Sequence, residues 1–171
     1  KKKRDIKEKN SYGLPILLKI DEFNSSKLIQ KIRKEFACLP FSIPRLSKVL
    51  SSCIEHRNTR LNWQVSLKSD NVANTLTLCE TEFGKKIGGY TPIPWKIGKI
   101  GSGSYVRDES GESFVFSLSN KDKFILQDKE KAVQHCNNNN YGPAFGGGND
   151  FVISQSQTKT TVHTVTLITV T

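Results

Sequence analysis

Methionine is missing from all 171 residues, position 1 included, which predicts a piece of a longer chain. No apolar run approaches the ~18 residues that a membrane-crossing helix needs, so no membrane span is expected. Histidine occurs only at His56, His135 and His163, and the four cysteines, Cys38, Cys53, Cys79 and Cys136, are scattered singly. A structural zinc site needs thiols or imidazoles paired at short spacing. None are so paired, and no metal is expected. The charged start, Lys1-Lys2-Lys3-Arg4, has no apolar stretch behind it, so no secretory leader is expected. The thiols then belong in a reducing compartment, and the protein in the cytoplasm.

Catalytic signatures are lacking too. Gly98, Gly101 and Gly103 do not have the dinucleotide-binding spacing, and no Lys-Ser/Thr follows a glycine loop as a P-loop requires. The triple glycine Gly146–Gly148 precedes a strand pattern and not a helix, so no helix N-terminus is offered to an anion. Ser102 sits in Gly-Ser-Gly, not in a nucleophile elbow. His135 and Cys136 are chain neighbours, and neighbours on a strand point to opposite faces. No catalytic residue and no cofactor is therefore singled out. The alternative kept open is an enzyme of unknown type with a redox-active cysteine.

Positive charge is plentiful, with a net +10, but unevenly spread. Residues 1–60 hold 15 Lys/Arg against 6 Asp/Glu, whereas 61–171 hold 11 against 10. A nucleic-acid domain carries its basic stripe on the folded surface. With the folded part taken as close to neutral, a nucleic-acid partner is disfavoured. Residues 1–12 are expected to form a basic disordered tail or linker.

Two patterns follow along the chain. Leu28, Ile29, Ile32 and Phe36 recur at helical spacing behind Asn24 or Ser25 as cap, and Pro40 stops that helix. A second helix is expected over Ile43–Ile54, with Leu46, Val49, Leu50, Cys53 and Ile54 on one face. From Asn74 onward the period shortens to two. Strands are expected at Thr75–Thr81, Lys86–Tyr90, Ser113–Leu118, Lys123–Leu126, Ala132–Cys136, Phe151–Ser154 and Val162–Val170. The expected class is mainly β (α+β), an antiparallel β-sandwich flanked by a few helices. Leu76, Leu78, Phe114, Phe116, Leu118, Phe145, Phe151 and Trp95 are its expected core.

The rest of the chain is organised around two stretches, Lys85–Trp95 (Lys-Lys-Ile-Gly-Gly-Tyr-Thr-Pro-Ile-Pro-Trp) and Tyr141–Phe151 (Tyr-Gly-Pro-Ala-Phe-Gly-Gly-Gly-Asn-Asp-Phe). Both join glycines, which allow close backbone approach, to large aromatics. Gly88 or Gly89 is expected at positive φ or packed against another backbone. With Thr75–Leu78, Glu82–Lys85, Ser104–Asp108 and Phe114–Leu118 these stretches make an ordered set that resembles the TLDc domain of the oxidation-resistance protein family. The resemblance is strongest over residues 75–154.

What the resemblance implies is a non-enzymatic protein-interaction domain linked to oxidative-stress resistance. Some family members bind the vacuolar proton-pumping ATPase, so its subunits are the implied partner. Residues 13–171 are taken as one TLDc-like domain: 13–73 helical and atypical, 74–156 the centre of the resemblance, and 157–171 an atypical C-terminal strand. The motif residues are Gly84, Gly88, Gly89, Tyr90, Pro94, Trp95, Gly142, Phe145, Gly146 and Gly147. Asn149 and Asp150, on the loop Tyr141–Asp150, are the candidate interaction residues. Ser51–Leu67 and Thr158–Thr171 depart from the family's pattern. One account is that both are translated out of frame, which predicts poor packing there.

Overall fold

The computed structural model describes residues 22–54, 69–96, 104–135, 141–148, 150–154 and 162–171. Helix α1 (Glu22–Phe36) buries Ile29 and Ile32 and half-buries Leu28 and Phe36, as its apolar spacing predicts. It starts earlier than expected, with Asn24 and Ser25 inside the helix and not at its cap. Its C-terminal half is tied to the sheet twice. The Arg33 guanidinium donates to the Leu46 carbonyl, and Glu35 pairs with Lys86 at 2.6 Å.

The second expected helix is a strand, β1 (Leu46–Ile54). Among the described residues the sheets are flanked by α1 and a short 3-10 helix, Lys129–Lys131. The reason for the misreading lies in the register. β1 pairs with β10 (Val162–Val170), with shifts between Leu46 and Lys48 and between Val49 and Ser51. Such irregularities reset the alternation of a strand. Leu46 and Val49 therefore both face the helix although three residues apart, while Leu50 joins the opposite core. A spacing of three then imitates a helical stripe.

Strands β2 (Thr75–Thr81), β3 (Lys86–Thr91), β5 (Phe114–Ser117) and β6 (Asp122–Ile125) complete an antiparallel six-stranded sheet in the order β1-β10-β2-β3-β5-β6. A second sheet of four strands runs β4 (Tyr105–Val106), β7 (Val133–Gln134), β8 (Tyr141–Phe145) and β9 (Phe151–Ser154). β4 was not foreseen, and β7 is shorter than Ala132–Cys136. The expected loop Tyr141–Asp150 is strand β8 followed by a turn through Gly146–Gly148.

Each face of the large sheet has its own core. On one side Leu76, Leu78, Tyr90, Phe114, Phe116, Ile168 and Val170 pack against α1. On the other, Cys79 and Leu167 meet Val133, Phe145, Phe151 and Ile153 of the small sheet, with Trp95 between. The expected core is buried throughout except Leu118, half-buried in the turn after β5. The poor packing expected of Thr158–Thr171 is overturned for β10. It lies between β1 and β2, with Leu167 and Ile168 fully buried on opposite faces. A Thr/Val-rich composition suits a strand covered on both sides. Ile16–Ile20, Ser51–Leu67 beyond Ile54, and Asn137–Asn140 lie outside the described residues.

Candidate interaction site

The two glycine–aromatic stretches meet inside the sandwich. Gly88 and Gly89 are neighbours on β3 and so face opposite cores. A Cβ on Gly88 would run into the Thr77 carbonyl and, at 2.5 Å, the Phe116 ring. A Cβ on Gly89 would come within 2.7 Å of the Phe145 ring. Neither glycine is at positive φ; the tight approach to the Thr77 backbone satisfies the other limb of the expectation. Phe145 is fully buried, edge-on to Trp95 (centroids 5.5 Å apart) and stacked on Phe151 (5.8 Å). The Trp95 indole donates to Thr75 Oγ1 at 2.7 Å. Tyr90 packs against Phe114 and donates from its hydroxyl to Asn74. Pro94 is exposed at the strand's exit, and Gly142 is buried against Ile153. Apart from Pro94, these motif residues build the core. Gly84, at φ +70, serves the β2–β3 turn with nothing near its missing Cβ.

The rim of that core is different. Gly146 has φ +78, its amide donates to the Ala132 carbonyl at 2.9 Å, and the Asp150 carboxylate occupies the space of its absent side chain. A side chain on Gly147 would strike Lys131, and the Gly148 amide donates to the Tyr105 hydroxyl at 3.2 Å. The turn is thus held by three elements, while Gly147, Gly148 and Asp150 stay exposed. Asn149 lies outside the described residues.

Facing this turn is the edge strand β6. Between them lies an open groove of about 530 Å³ lined by Phe124, Ile125 and Leu126 on one side and Gly146, Gly147 and Asp150 on the other. Asp128 and Lys131, 3.7 Å apart, also line it. Phe124 is 55% and Ile125 62% exposed. Single exposed apolar residues are ordinary, but two together on an unpaired edge are a binding feature or a hazard. Sequence reasoning passed over this pair, although a signal existed. Phe124-Ile125-Leu126 are consecutive, and on a strand consecutive side chains cannot share one buried face.

The titratable groups take structural parts. Asp108 is buried; burial raises its pKa, but hydrogen bonds from Ser110 and Ser113 outweigh that and hold it below the usual carboxylate value. Ser113 N donates at 2.7 Å and Ser110 Oγ at 2.7 Å, fastening the loop that leads into β5. His135 is pushed down by burial and by Lys96, whose backbone amide donates to its Nδ1. Burial drives the Cys79 thiol far up, leaving no thiolate for redox chemistry. Cys38 is exposed at the end of α1, and its thiol contacts the Lys34 carbonyl. The side chains of Cys53, Cys136, His56 and His163 lie outside the described residues. Among the described residues no three His, Cys, Asp or Glu are placed to hold a metal. Among them, too, no helix is long and apolar enough to cross a membrane.

A model of one protein family, described as the TLDc domain, matches residues 18–167. The match extends through Ser51–Leu67 and most of β10, the two stretches that depart from the expected pattern. No curated protein matches the chain.

Proposed function

This chain belongs to the TLDc domain family, a family commonly linked to oxidation resistance and not known as one of enzymes, and from that premise we propose a non-enzymatic protein-interaction module. Residues 13–171 act as one domain in the cytoplasm, and the implied service is resistance to oxidative damage. The subunits of the vacuolar proton-pumping ATPase are the proposed partners, carried over from the family's own members.

The observation that carries the reading is the placement of Phe124, exposed on an edge strand, across the groove from the Gly146–Gly148 turn and Asp150. Binding energy at interfaces concentrates in apolar anchors near a polar rim. Phe124 supplies the anchor and Asp150 the rim. The fixed turn keeps the ordering cost of binding low.

The test is binding of purified vacuolar ATPase subunits to the wild-type chain and to Phe124→Ser and Asp150→Ala, with thermal melts alongside. Phe124→Ser should weaken binding by a factor of about ten to a hundred, as loss of an interface anchor does, with the melting temperature within a few degrees. Unchanged binding by Phe124→Ser would remove the groove from the contact surface. Failure of the folded wild-type chain to bind any subunit would remove the ATPase as partner.

A further inference from the structure

The two outer strands of the large sheet are built differently. β1 is interrupted by two register shifts, and such irregularity keeps an edge from accepting another strand. β6, at the other end, pairs with β5 through four residues without a shift and contains no proline. Among the described residues no strand pairs with its outer side.

The register shows which backbone groups that outer side offers. In an antiparallel sheet the N–H and C=O of one residue point to the same neighbour, and the direction alternates along the strand. Just after β5, Leu118 donates from its amide to the Lys86 carbonyl at 2.9 Å. By alternation Phe114 and Phe116 also turn to β3, and Val115 and Ser117 turn to β6, where their partners are Phe124 and Asp122. The backbone groups of Lys123 and Ile125 therefore point away from the sheet. The Gln127 side-chain amide donates to the Ile125 carbonyl at 3.3 Å, where a neighbouring strand would supply the donor.

The side chains alternate as well. Ile125 and Lys123 stand opposite Phe114 and Phe116, on the α1 side of the sheet, and Phe124 stands opposite Val115, on the side of the small sheet. A cleft opens on each side. One is the groove beside Phe124; the other, of about 390 Å³, lies beside Ile125 and is lined by Ile43, Pro44, Tyr90 and Phe114. Lys123 lies over the Phe114 ring, 4.1 Å from its centroid.

We propose that a partner protein adds an extended segment to β6 as a further antiparallel strand. The proposal rests on the reading of the groove as an interaction site and names the form of the partner that enters it. A helix bonds its backbone groups internally and cannot meet the outward amides and carbonyls of Lys123 and Ile125. A strand meets them, and its alternate side chains reach the two clefts in turn. Main-chain bonds then supply affinity and the clefts selectivity. Cross-strand matching sets the chemistry of the segment: an apolar residue opposite Ile125, an aromatic opposite Phe124, an acid opposite Lys123 and a base opposite Asp122. From its N-terminus such a segment reads Val-Phe-Glu-Lys.

The experiment titrates a fluorescein-labelled peptide, Ser-Thr-Val-Phe-Glu-Lys-Thr-Ser, with the whole chain, and follows amide hydrogen exchange by NMR. Two N-methylated isomers are compared with it. Methyl groups on Val and Glu block the amides that would face β6, whereas methyl groups on Phe and Lys block amides that would face solvent. The plain peptide and the Phe/Lys isomer should bind, and the Val/Glu isomer about tenfold more weakly, as loss of two interstrand hydrogen bonds does. Exchange at Lys123 and Ile125 should be fast in the free chain and slowed by the peptide. Ile125→Pro removes an outward amide and no bond to β5, a place where an edge strand tolerates proline. It should keep the melting temperature within a few degrees and weaken peptide binding by about tenfold. The proposal is overturned if the plain peptide does not bind or if the two isomers bind alike. It is equally overturned if Lys123 and Ile125 are already protected in the free chain, as they would be with β6 covered by another part of the chain or by a second copy. If ATPase subunits bind Ile125→Pro like the wild type while Phe124→Ser weakens them, the groove stands as an interaction site and strand addition falls. If the peptide binds as expected and no subunit does, strand addition stands and the ATPase alone is removed as its source.

Discussion

At the scale of single residues, the glycines of β3 are fixed by their neighbours' bulk and not by their own backbone angles. Phe145 cannot swing away from a Cβ on Gly89, because Trp95 and Phe151 hold it. Gly89→Ala should therefore destabilise by about 1–3 kcal/mol, the usual cost of overpacking, measured by chemical denaturation. Phe145→Leu should then cost less in the Gly89→Ala background than in the wild type, since both changes bear on one space. Additive effects would show that the clash is relieved elsewhere. Thr77 gives a prediction of the opposite sign. Its hydroxyl is fully buried and has no hydrogen-bond partner, whereas those of Thr75 and Thr91 are engaged. An orphaned buried hydroxyl costs roughly 1–3 kcal/mol. Thr77→Val keeps the shape and should raise the denaturation midpoint, while Thr75→Val should lower it.

At the scale of elements, β10 is the strand on which the large sheet depends. Among the described residues it alone joins β1 to the rest of the sheet, hydrogen-bonded to β1 on one side and to β2 on the other. Leu167→Ala should cost about 2–5 kcal/mol, as removal of a fully buried leucine does. Lys48→Ala, on the exposed side of β1, should stay within about 0.5 kcal/mol. If Leu167→Ala is as mild as Lys48→Ala, β10 does not occupy the centre of the sheet in solution.

At the scale of the whole molecule, two titrations, of the half-buried His135 and the buried Asp108, give stability one direction with pH. The folded His135 has a lowered pKa, so the unfolded chain binds its proton first as pH falls. That contribution is present above the ordinary histidine value and is lost as pH falls toward the lowered folded value. Asp108 is also lowered, so its contribution is present above the ordinary carboxylate value and is lost as pH falls toward its own folded value. Melting temperature should thus decline in two steps on acidification. His135→Asn, which keeps an acceptor for the Lys96 amide, should flatten the first step and leave the second.

How much of this was legible beforehand differs from element to element. β2, β3 and β9 could be read because their alternation is unbroken, and the buried aromatics followed from it. β8 was hidden by Pro143 and by a register shift between Tyr141 and Ala144, features that read locally as a loop. β1 was hidden because its register shifts turn a period of two into a spacing of three. The groove was illegible for a different reason. Phe124 and Ile125 lie more than twenty residues before Gly146, and only the packing of two sheets sets them face to face.

By itself the sequence determined the β-rich class, the family and the buried aromatics, because each of these depends on residue type and short spacing. Tertiary structure alone decided that the twin glycines serve two cores at once and that the C-terminal strand is central. Those outcomes rest on contacts between residues far apart in the chain, and local periodicity carries no record of which strands become neighbours.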